Sequence, residues 1–210
     1  KRRKLELAGT ADERTAIRFK MSQILDDLLG DANGAIEILV ELQEDAGPHD
    51  DALRQLARLY EGEGLWVELS EILQQQLERA DDHSRIGLML KLGELQELRL
   101  GESEQALSIY CDVLELDGTN NAVRTALQRL LDDDDIRPTA ALALEGIYVE
   151  LDDWQNLISV LEVQCETADE PAHRELLHRI AGLHLDRGRS AESAFATPGR
   201  AALSPRRPRT

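Results

Sequence analysis

Five histidines and 41 Asp and Glu residues are the side chains of this 210-residue chain that could hold a metal or move protons. One short motif stands out among them, Glu175-Leu-Leu-His178. On a helix its two ends lie one turn apart, the i, i+3 arrangement that di-iron and di-manganese bundles use. Such a centre needs the motif on two different helices and two further Glu from other helices, whereas the two Glu-x-x-His runs of this sequence, Glu170 to His173 and Glu175 to His178, lie within one stretch of nine residues. His173 and His184 share a helical face, but at about 1.5 Å per residue they stand roughly 16 Å apart, too far for one ion. The run Asp132 to Asp135 is dense in carboxylate, yet calcium loops alternate their ligands around a Gly turn, and this run does not. It reads as a solvated loop. No metal and no cofactor is expected.

Nucleophilic chemistry has equally little to start from. Cys111 and Cys165 each sit among apolar residues at helical spacing and read as small core hydrophobes. The sequence holds no Gly-x-x-x-x-Gly-Lys phosphate loop, no Gly-x-Gly-x-x-Gly, no Gly-x-Ser-x-Gly and no His-Glu-x-x-His. No catalytic residue is assigned, and the expectation is a protein that is not an enzyme.

Composition narrows the class further. Leu occurs 36 times against 18 for Ile and Val together, a balance that favours helices over strands. No apolar run reaches the roughly 18 residues of a bilayer span. The net charge is −17 and unevenly spread. Lys1, Arg2, Arg3 and Lys4 open the chain, and Arg200, Arg206, Arg207 and Arg209 close it; the residues between hold 16 bases against 41 acids. So acidic a body repels phosphate backbones, and nucleic acid is not an expected partner. Two cysteines suggest no disulfide framework, and the basic start is followed by no apolar stretch of signal-peptide length, so a cytoplasmic location is expected. Arg outnumbers Lys by 20 to 4, a usage that resembles proteins of GC-rich bacterial genomes.

The elements that carry these residues repeat. Trp66-Val-Glu-Leu69-Ser-Glu-Ile72-Leu73 matches Trp154-Gln-Asn-Leu157-Ile-Ser-Val160-Leu161, with apolar residues on one helical face in both. A second motif precedes each of five turns: Met21-Ser22-Gln-Ile24, Leu56-Ala57-Arg-Leu59, Leu92-Gly93-Glu-Leu95, Leu144-Glu145-Gly-Ile147 and Ile180-Ala181-Gly-Leu183. The second positions are spaced by 35, 36, 52 and 36 residues. Four of the five are small (Ser22, Ala57, Gly93 and Ala181), which lets a neighbouring helix approach closely. Each unit reads as helix, turn, helix, with turns at Gly30-Asp31, Gly62 to Gly64, Leu100-Gly101, Asp152-Asp153 and Arg187-Gly188. The 52-residue interval leaves room for one additional helix, about Asn120 to Leu131.

A helix pair every 34–36 residues with a small residue at a fixed place resembles the tetratricopeptide repeat family, in a divergent bacterial form. Leu53, Leu56 and Tyr60 fall on the family's large apolar positions around Ala57, and Met89, Leu92 and Gln96 fall on them around Gly93. Ala35 and Ala106 fill its second-helix small position. Leu114-Glu-Leu-Asp117-Gly118-Thr-Asn120 looks like the family's unit ending with Gly in place of Pro. The Trp units depart from the pattern, since Leu69 and Leu157 stand where the family usually has Ala. The resemblance implies an all-α fold, a right-handed alpha-alpha superhelix of about eleven antiparallel helices. It would comprise a basic extension at 1–11 and an array at 12–194. Its units are 12–47, 48–81, 82–118, an extra helix at 119–136, 137–170 and 171–194. Trp66 and Trp154 would join the small residues in packing the repeats.

The resemblance also implies mechanism by surface, with a partner peptide or helix held on a concave face lined by the first helices. Carried over by position, that face includes Gln23, Arg54, Arg58, Glu94, Glu97 and His178. Only Arg54 and Arg58 approach the family's carboxylate clamp, and Glu94 and Glu97 oppose it, so capture of a C-terminal carboxylate is not expected. Residues 195–210 break the pattern: Pro198 and Gly199 fall where a last second helix should run, and the end is basic, so a disordered tail is expected. The chain lacks a starting Met. The expected function is therefore a non-catalytic protein-interaction scaffold; the alternative is a regulatory or substrate-recruiting repeat segment of a larger multidomain enzyme.

Overall fold

A computed structural model describes residues 10–195, and from residue 188 onward only the backbone. The basic start, the Pro- and Arg-rich end and the expected break at Pro198-Gly199 lie outside these residues. All regular structure described is helical. The α-helices are α1 (Ala11–Leu29), α2 (Ala32–Ala46), α3 (Asp50–Glu63), α4 (Trp66–Arg79), α5 (Asp82–Leu95), α6 (Ser103–Leu116), α7 (Asn121–Leu130), α8 (Arg137–Glu150), α9 (Trp154–Thr167) and α10 (Glu170–Phe195). A π-helical turn, Gln96–Leu100, continues α5. The chain divides into two compact units after Leu130. In the first, α1 to α7 each pack on the next; in the second, α9 packs on both α8 and α10.

Local chemistry sets the helix ends. Thr10, Asp31, Asp81, Asp153 and Asp169 each accept a hydrogen bond from a free backbone amide in the first turn that follows, the capping that short polar side chains provide. At Asp81 the bonds from Ser84 hold the carboxyl below its usual range. Gly30 and Gly101 close their helices at φ +64° and +70°, a left-handed backbone that a Cβ disfavours. Between the ends, apolar spacing builds the core. Leu39, Leu42, Leu53, Leu56, Leu69 and Leu73 are almost wholly buried in the first unit, and Leu144, Ile147, Leu157 and Leu161 in the second. Burying each such side chain contributes about 1.5–3 kcal/mol.

One expectation is revised. The turn expected at Arg187-Gly188 is not made; α10 runs through it as one helix of 26 residues. A Gly inside a helix costs only about 1 kcal/mol relative to Ala, so Gly188 alone is a weak stop. The additional helix expected at about Asn120 to Leu131 forms at Asn121–Leu130, inside the interval 119–136. It packs on both α5 and α6, as the first helix of a further repeat would.

Candidate partner-binding surface

The residues expected to face a partner share one physical constraint: their helices must lie side by side. In the first unit, ion pairs join them. Asp26 on α1 pairs with Arg58 on α3. Glu61 on α3 accepts from Lys91 on α5 at 2.7 Å. Glu97 on the π turn accepts from Arg129 Nε and Nη2, on α7, at 2.8 and 2.9 Å. The second unit repeats the device with Glu145 on α8 to Arg179 on α10, and with Asp152, in the turn after α8, to Arg187 on α10. In every case the acid comes first and the base follows 30–35 residues later. The signal is in the sequence, since Asp26, Glu61 and Glu97 each stand four residues after a small packing residue.

This arrangement sorts the six expected surface residues. Gln23, Arg54, Glu94 and His178 are exposed. Arg54 pairs with Asp51 on its own helix, and Arg58 is committed to Asp26. Neither arginine is a free charge for an acidic partner. Glu97 is turned inward, with only 7% of its side chain exposed. Besides Arg129 it accepts the Tyr110 hydroxyl at 2.8 Å. Burial, and then the adjacent Glu97 carboxylate, push the Tyr110 phenol well above its ordinary range. The same carboxylate raises Arg129. Glu97 is thus a structural anchor under the surface.

The expected packing residues divide as well. Ser22 is fully buried, its hydroxyl 2.8 Å from the Phe19 carbonyl and 3.3 Å from Gln55 Oε1. Ala57 is buried. Gly93 lies against Tyr110 so closely that a Cβ would sit 2.6 Å from a ring carbon. Beside it, Gln96 donates to Ser70 Oγ at 3.2 Å across the core. Ala181 is exposed, because α10 continues where a turn would have brought a further helix back over it. Trp66 and Trp154 are half-buried at the first positions of α4 and α9. The Arg99 guanidinium lies 4.8 Å over the Trp66 ring, a cation–π contact.

Residues weighed for chemistry have local partners. His173 Nδ1 is 3.0 Å from the Cys165 carbonyl oxygen. Asp134 pairs with Arg137 at 2.5 Å. Cys111 is half-buried with its thiol pushed up by burial and by Asp112 and Glu115, the reverse of what activates a nucleophile.

Residues 52–85 and 140–175 match the family model for the tetratricopeptide repeat. These are the two Trp-containing segments, so Leu69 and Leu157 in place of Ala do not disqualify them. Among curated proteins none matches the sequence. Among solved structures, a thermophilic TPR protein of Thermus thermophilus is similar at 19% identity and a TM-score of 0.34, over 81% of this chain and 99% of that one. TPR-like repeats from Podosopora anserina are similar at 18% identity and a TM-score of 0.35, over 90% and 93%.

Proposed function

Because the chain is a tetratricopeptide-like helical repeat protein, we propose that it acts as a non-catalytic scaffold that binds a peptide or helix of a partner protein on the face of its first helices. Such repeats generally mediate protein–protein interaction. The observation that carries the reading is the set of ion pairs between neighbouring first helices. It aligns α1, α3 and α5 while leaving Gln23, Arg54 and Glu94 exposed and unused by the packing. A partner laid across those helices meets side chains from three elements at once.

The test is selection of a random-peptide display library on the full chain. Enriched peptides are expected to lose binding to a Gln23→Ala/Arg54→Ala/Glu94→Ala variant. They should keep it on a Glu37→Ala/Glu41→Ala/Gln74→Ala variant, whose changes lie at exposed positions of second helices. Arg58 is left intact because its loss would break a contact between helices. No enrichment, or equal retention by both variants, overturns the proposal.

A further inference from the structure

The first unit has a cleft of about 380 Å³ between the start of α4 and the end of α5. Buried Leu69 and Leu95 and half-buried Trp66 form its floor. Leu98, on the π turn, stands at its edge with 59% of its surface exposed. A large aliphatic side chain this open, next to an apolar floor, leaves a hydrophobic surface that a partner can cover. π turns also recur at functional positions.

Charge gives that surface a preference. Glu61 at one end of the cleft is neutralised by Lys91. Glu94 lines the cleft, and among the described residues no hydrogen bond or ion pair reaches it; Arg129 acts on it only at a distance. Residues 60–72, which run through Trp66, hold four Glu and no base, and Glu63, Glu68 and Glu71 are all exposed. Among the described residues, the one cation at the cleft without an anionic partner, Arg99, is laid on the indole. An incoming carboxylate would meet this acidic field unfavourably, while an incoming ammonium or guanidinium would find Glu94 open.

We propose that this cleft takes a basic amphipathic peptide segment of a partner protein, seating a leucine-like side chain on Trp66, Leu69 and Leu95 and placing a neighbouring Lys or Arg against Glu94. The inference rests on the scaffold reading and names the partner's chemistry. Leucine supplies the apolar contact with Leu98, and the cation supplies the choice between partners, since charge at a rim governs discrimination more than affinity.

The experiment titrates the full chain, carrying Trp154→Phe so that Trp66 is the sole indole, with three synthetic peptides of equal length: Lys/Leu, Glu/Leu and Lys/Ala. The Lys/Leu peptide is expected to bind at least tenfold more tightly than the other two and to change Trp66 emission. Glu94→Lys should weaken it at least tenfold, and Glu94→Gln by a smaller factor. Glu37→Lys, which changes net charge by the same amount at an exposed position on α2, should leave it unchanged. Equal weakening by Glu94→Lys and Glu37→Lys reports attraction to overall acidity and overturns the cleft, as does preference for the Glu/Leu peptide. If library peptides bind the first-helix face while the Lys/Leu probe does not, the partner class falls and the scaffold stands. If the library yields no peptide, the scaffold falls and this inference with it.

Discussion

Gly93 on α5 and Ala181 on α10 hold the same place in the same short motif, yet Gly93 is sealed beneath Tyr110 and Ala181 faces solvent. The first has α6 folded back over it and α7 packed beyond. The second has a helix that does not turn. A small residue in a repeat is permission for a neighbour to approach, and its energetic weight appears only when the neighbour arrives. The Gly93 joint is therefore a closed contact, and the region around Ala181 is an open one.

The largest expected effect breaks the closed contact. With a Cβ already 2.6 Å from the Tyr110 ring, Gly93→Trp should cost at least about 3 kcal/mol in a urea melt, at the upper end of overpacking penalties. Ala181→Trp should fall within about 0.5 kcal/mol, as exposed substitutions usually do. Comparable losses at both positions would show that α10 is covered in solution, and would remove the contrast.

The next effect concerns the anchor beneath Gly93. Glu97→Ala leaves the Tyr110 hydroxyl buried without its acceptor, a cost of about 1–3 kcal/mol. His178→Ala on open α10 should cost nearly nothing by the same melt. A loss under about 0.5 kcal/mol for Glu97→Ala, the range of an ordinary surface change, would mean the Tyr110 hydroxyl finds another acceptor on the π turn.

The anchor also marks where the sequence stops being readable. The helix pairs were legible because Leu recurs at helical spacing and because Asp and Gly mark the turns, as at Asp31, Asp153, Gly30 and Gly101. Glu94 and Glu97 looked equivalent, one turn apart on one face. The chain widens into a π turn from Gln96, which changes the angular step, and two partners 13 and 32 residues ahead draw Glu97 inward. Neither the widened turn nor the distant partners are written in residues 93–97. Ala181 failed to read for the opposite reason, because a weak Gly stop cannot say whether a helix ends. Arg58 read as a residue of the partner-binding face, its commitment to Asp26 hidden because that partner lies a whole repeat away.

A pH titration sharpens the closed contact further. The folded state holds the Tyr110 phenol in its neutral form by burial and by the Glu97 charge, whereas an unfolded tyrosine ionises near pH 10. Above that pH the unfolded chain binds fewer protons, so this contribution is complete below about pH 10 and is lost as pH rises, by about 1.4 kcal/mol per unit. Tyr110→Phe should reduce the slope of the alkaline limb of stability against pH, with the remainder left by Tyr60 and by the Cys111 thiol, both of which burial also raises. An unchanged limb would show that the Tyr110 site opens to water before the fold is lost.

The smallest effect compares an ion pair from each region. Glu61 with Lys91 sits in the closed unit and Asp152 with Arg187 near the open end, all four side chains substantially exposed. Double-mutant cycles on such pairs give about 0.2–1 kcal/mol, so both couplings should be small and should shrink as salt rises. Their difference carries the information. Arg187 reaches Asp152 only if α10 is helical one residue short of Gly188, the position at which a turn was expected. Couplings that agree within about 0.3 kcal/mol, near the resolution of such cycles, mean the helix is as firmly made there as α5 is at Lys91. A measurable Glu61–Lys91 coupling beside a null one at Asp152–Arg187 would mean that α10 ends earlier in solution. The region around Ala181 would then be open because its helix frays, and the contrast with Gly93 would become one of helix formation, with packing following from it.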